Sequence, residues 1–183
     1  MNLIGTIGDF MLVTVLVVAA VGKLRSRASR DEVATLARFV GIPLRWVAIA
    51  PGALIVAEIG VAILLAFPIA RGWGAIAATL LMAVLTVGAE RARRAPEPPA
   101  CRCFGGAAEP IGRRHVARNA ALAAIATITA VLTFVPTGPP LTATGMVAAV
   151  LSGVLLATVV VHLDTLLFLC GLRPTAPQPT QGR

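Results

Sequence analysis

The chain reads as an all-α, polytopic integral membrane protein: a helical bundle of about five transmembrane helices with one amphipathic surface helix. Three observations predict this. Apolar runs of about 20 residues recur, the length that crosses a hydrocarbon layer. Of the 183 residues, 57% are hydrophobic and only 13% are charged. A soluble domain of this size carries far more charge on its surface. The basic residues cluster beside the apolar runs, where retention on one side of the membrane explains them.

The spans fall at about 3–22, 46–67, 72–89, 116–136 and 144–169, within a single membrane domain of residues 1–173. Gly5, Gly8 and Asp9 dilute the first run. Its positive charges follow the apolar stretch, so it reads as a retained span and not a signal peptide. A helix is expected in the segment that follows. Ser29 and Glu32 have capping-box spacing, and Val33, Leu36, Ala37 and Val40 fall on one face. Gly41 and Pro43 end it, and its apolar face places it on the membrane surface.

Glu58 lies near the middle of the second span. An ionised carboxylate there costs roughly 3 kcal/mol on insertion scales. It is therefore expected to be protonated, paired or turned to a cavity. It serves either as a proton or ligand site, or as an interhelical hydrogen bond that fixes packing. The fourth span opens with His115, Arg118 and Asn119, which share a helical face. They either assist proton transfer or mark the membrane interface. In the fifth span Ala149, Gly153 and Ala157 are spaced by four, a small-residue stripe that lets another helix approach closely. The 174–183 tail is rich in Pro, Gln and Thr and is expected to be disordered.

Orientation follows from the 16 basic residues, of which only Lys23 is lysine. Fifteen fall in the first loop, the 90–118 segment and the tail, against Arg71 alone in the opposite turns. The asymmetry puts the N-terminus outside, and the C-terminus and the 90–115 loop in the cytoplasm of a bacterial cell. The same clustering accounts for the net charge of +8 without a nucleic-acid partner.

Cys101 and Cys103 sit in the long polar loop, in the string Cys101-Arg102-Cys103-Phe104-Gly105-Gly106. A disulfide across one residue closes a small, strained ring, which favours exchange over scaffolding. Arg102, Arg113 and Arg114 favour the thiolate, the attacking species. Metal binding competes: Cys101, Cys103 and His115, with Cys170 as a fourth ligand, could make a tetrahedral zinc site. Single-residue spacing is unusual for zinc. A third reading leaves the cysteines structural, which suits Cys170 in its apolar setting.

The pattern Cys-x-Cys-Phe-Gly, a short gap, then His115, Arg118 and Asn119 opening a helix, resembles the methylamine utilisation protein MauE family, which is similar to DoxX-like proteins. The Gly22-Lys23-Leu24 end of the first span, the loop helix and Glu58 resemble that wider group. The likeness covers most of residues 1–136. It implies thiol–disulfide work that supports maturation of an exported enzyme or cofactor, beside a thioredoxin-like partner. Cys101 and Cys103 would be the redox pair, supported by Arg102, His115, Arg118, Asn119 and Glu58. All three cysteines fall near the cytoplasmic side. Electrons would therefore reach an exported substrate only if the 96–112 loop enters the bundle, or if a quinone or a partner completes the path. The non-enzymatic alternative is an assembly or scaffold subunit of a larger membrane complex whose loop binds a partner or metal.

Overall fold

A computed structural model describes residues 3–96, 100–101, 109–135, 141–163 and 166. Arg102, Cys103, Cys170 and the 174–183 tail lie outside the described residues. The chain forms a helical membrane bundle. In order come α1 (Leu3–Arg25), α2 (Arg27–Val40), α3 (Leu44–Val47), α4 (Ala50–Ala66), α5 (Arg71–Arg93), a two-residue ladder of β1 (Ala100–Cys101) with β2 (Glu109–Pro110), α6 (Arg113–Phe134) and α7 (Ala143–Val161).

Four helices, α1, α5, α6 and α7, are long and apolar enough to cross a membrane. The apolar helix α4 has 17 residues, about 26 Å at 1.5 Å per residue. The stretch before it, expected as one continuous run from 46, is broken. Pro43 starts the four-residue α3, and Pro51 occupies the first turn of α4, where its missing N–H costs nothing.

Apolar residues cover the outside of the bundle: Val56 on α4, Leu80 on α5 and Leu151 and Leu155 on α7 are all more than 60% exposed. These side chains face lipid, which solvates them as well as a core would. The core lies between α1, α4, α5 and α6, where Leu12, Val15, Leu16, Leu65, Ala75, Ala78 and Leu122 are buried together.

The small-residue stripe of α7 packs on α1. Ala149, Gly153 and Ala157 are its buried residues. A Cβ on Gly153 would lie 2.8 Å from the Ile7 carbonyl oxygen and 2.8 Å from Phe10 Cβ, so only glycine permits this approach.

Helix α2 caps one end of the bundle. It packs on α1, α4 and α5, and Arg91 at the end of α5 donates to the Val40 carbonyl at 3.1 Å. Its N-cap is Ser26, whose side chain accepts from the Ser29 N–H. The helix therefore starts one turn earlier than the Ser29–Glu32 pattern suggested, and Ser29 is buried inside it. Gly41, at φ 89°, ends it as expected. Its N–H reaches Arg38 O and the Ile42 N–H reaches Ala37 O, the paired bonds of a Schellman motif.

At the opposite end, Arg71 Nε sits 3.1 Å from Asp9 Oδ2, with Asp9 almost wholly buried. The aspartate that dilutes the first span is thus the partner of the one basic residue in the turn between α4 and α5.

Candidate functional site

Three helices bring polar side chains to one internal cavity of about 50 Å³. Such a space holds a few water-sized groups, at roughly 10–15 Å³ each. Lys23 comes from α1, Glu58 from α4, and His115, Arg118 and Asn119 from α6. Apolar side chains make up the rest of the wall, among them Leu16, Leu54, Met82 and Leu122. Val33 and Leu36 of α2 close it on the capped side.

Lys23 is the residue that sequence reasoning misplaced. It was counted as a loop cation, yet it is 4% exposed. Side chains on a helix lean toward its N-terminus, so from the last turns of α1 the Lys23 stem points back into the bundle. Its Nζ donates to Ala19 O at 3.3 Å and to Glu58 Oε1 at 2.7 Å. Glu58 is 2% exposed, and its Oε2 has no hydrogen-bond partner among the described residues. Of the two roles left open for Glu58, the interhelical contact is real. It is an ion pair, and one carboxylate oxygen beside the cavity is left over. The signal that could have found Lys23 was its being the only lysine among 16 basic residues.

His115 is set by the start of α6. The Gly112 N–H donates to His115 Nδ1 at 3.3 Å, so a neutral ring carries its proton on Nε2. Asn119 follows four residues later, and Arg118 and Leu122 continue the same wall. The face read from the spacing of these residues is the face that meets the cavity.

The cysteine loop is anchored next to this site. In the ladder Cys101 pairs with Glu109 and Ala100 with Pro110. Ile111, one residue beyond the ladder, is 3% exposed, packs with Ala89 and Ala92 of α5, and lines the cavity. Strand β1 also touches α2, the helix that closes the cavity. Cys101 is described through its backbone; Arg102, Cys103 and Cys170 fall outside the described residues. Among the described residues no group of three His, Cys, Asp or Glu could hold a metal.

Chemically, the site combines a buried cation, a carboxylate with a spare oxygen, an imidazole and an amide in an apolar wall. Such a set can hold and move protons, and it can bias a nearby thiol by charge.

A family model described as methylamine utilisation protein MauE matches residues 1–135. That stretch holds the first four apolar helices, the cysteine loop and every cavity residue named above. Neither the curated proteins nor the solved structures contain a match.

Proposed function

Because this chain belongs to the methylamine utilisation protein MauE family, we propose that it is a membrane thiol–disulfide redox protein working through Cys101 and Cys103. It exchanges electrons with a thioredoxin-like partner and supports maturation of an exported enzyme or cofactor. The single observation that carries this reading is the position of the loop's base. The segment that pairs with Cys101 runs through Ile111 directly into the wall of a cavity holding Lys23, Glu58, His115, Arg118 and Asn119.

The exchange balances without another reactant. One cysteine thiolate attacks a sulfur of the partner disulfide. An S–S bond forms between the two proteins and the partner's second sulfur leaves as a thiolate, which takes a proton. The other cysteine then attacks the mixed disulfide, closing Cys101–Cys103 and releasing the partner as a dithiol. Two electrons and two protons pass to the partner, and the reverse sequence regenerates the thiols. Positive charge from Arg102, Arg113 and Arg114, close to the cysteines in sequence, favours the thiolate state. Glu58 and His115 supply sites through which the released protons leave the loop.

Replacing Cys101 or Cys103 singly with Ser is expected to trap a covalent complex with a thioredoxin-like protein, and replacing both to abolish it. Normal function with Ser at both positions would make the chain a scaffold. Stoichiometric zinc, lost on mutating either cysteine and with no trapped partner, would make the loop a metal site.

A further inference from the structure

We propose that the groove between α2 and the start of α4 is a binding site for the headgroup of an anionic phospholipid. The groove is an open one of about 720 Å³, lined by Leu24, Arg27, Arg30, Asp31, Ile55 and Val56, among others. That is room for far more than a few water-sized groups, at roughly 10–15 Å³ each. It lies on the outer side of the α1–α2 corner, away from the Lys23–Glu58 cavity, with which it shares no lining residue.

Charge is the first argument. Neither Arg27 nor Arg30 is held by an ion pair among the described residues. Asp31 offsets one of the two, which leaves the groove net positive. The first turn of α4 adds partial positive charge, since no side chain caps that helix. Two guanidinium forks beside an uncapped helix start suit a phosphodiester.

Depth is the second argument, and it selects a lipid over a free anion. On the α4 side the wall is apolar and open to the outside. Val56 is 70% exposed and Ile59 and Ile63 continue the exposed apolar face along α4, with Leu24 at the end of α1 53% exposed across from them. Just ahead of α4, Trp46 is half exposed with the Arg45 guanidinium 5.8 Å from its ring centroid. An amphipathic ring beside a cation marks headgroup depth. A phosphate seated between Arg27 and Arg30 would therefore have its acyl chains running down Leu24, Val56 and Ile59.

The floor offers an independent test. Gly52 lines the groove, and a Cβ built on it meets nothing within 4 Å. A larger side chain there starts from a Cβ that meets nothing of the bundle, and it takes up groove space without changing the charge.

The experiment uses the full chain, delipidated in mild detergent, with bound lipid counted by native mass spectrometry. Phosphatidylglycerol is expected to bind in preference to phosphatidylcholine. The double variant Arg27→Gln/Arg30→Gln is expected to weaken its binding roughly thirtyfold. Gly52→Phe should remove binding with both arginines intact, and Arg38→Gln, on an exposed arginine outside the groove, should leave it unchanged. Equal retention of the two lipids would overturn the proposal. So would wild-type binding by either groove variant. Displacement by inorganic phosphate as effective as by the intact lipid would make this a free-anion site and overturn it too.

Discussion

Lys23 Nζ and Glu58 Oε1 meet at 2.7 Å with their side chains 5% and 2% exposed, joining α1 to α4 inside the membrane domain. Two full charges have been drawn out of water there. Such a pair contributes little net stability against an apolar pair of similar volume, yet breaking it strands a charge. Lys23→Met and Glu58→Met are each expected to destabilise the protein by about 3–5 kcal/mol. Lys23→Met/Glu58→Met is expected to recover most of that loss while removing the cavity's charge. Thermal unfolding of the four proteins in one detergent measures the cycle. Additive losses in the double variant would show that the two residues act separately.

Much of the fold was legible because its causes are local. Apolar runs long enough to cross a bilayer announce their own helices, and the stripe of Ala149, Gly153 and Ala157 announces a close neighbour. Gly41 ends α2 because a left-handed residue is needed there. The start of α2 was misread because two serines three residues apart both offer a cap. The one that wins is Ser26, since starting there lets Ser29 sit in the interface. The role of Lys23 was not legible from charge counting. A lysine at the end of a span can reach out to the headgroups or back into the bundle, and only the acceptor 35 residues later on α4 decides which. Glu58, His115, Arg118 and Asn119 were recognised separately, as a mid-span acid and as a polar helical face. Their meeting in one cavity is a long-range fact that no spacing within a single helix contains.

The α1–α7 contact gives a second prediction. Gly153→Ala places a methyl at 2.8 Å from Ile7 O and from Phe10 Cβ, backbone and stem atoms that cannot swing aside. Overpacking of this kind costs about 1–3 kcal/mol. Gly60→Ala is the matched control, because nothing lies within 4 Å of its Cβ. Relief of helical glycine entropy should leave it neutral or stabilised by roughly 0.5–1 kcal/mol. Midpoints of thermal unfolding compare the two. Equal behaviour would mean that α7 does not bear on α1 this closely.

The remaining prediction concerns sidedness. Arg71 is the only basic residue in the turn between α4 and α5, and it is tied to the buried Asp9. It therefore presents little free positive charge to the surface at that end. The other end gathers the exposed arginines of α2 together with Glu90, Arg91, Arg93 and Arg94 at the close of α5. There Glu90 is forked between Arg93 and Arg94 at 2.7 Å and 2.6 Å. Lys23 leaves the count on this side, being buried, but the asymmetry survives its removal. Retention of arginines in the cytoplasm predicts that the capped end of the bundle, and with it the cysteine loop, lies inside the cell. A membrane-impermeant maleimide added to intact cells is expected to leave Cys101 and Cys103 unlabelled, and to label them once the membrane is permeabilised. A single cysteine introduced at Gly72, beside Arg71, into a chain whose own cysteines are replaced by Ser should show the opposite accessibility. Labelling of Cys101 and Cys103 from outside would invert the assignment and place the thiol pair on the side where exported proteins fold.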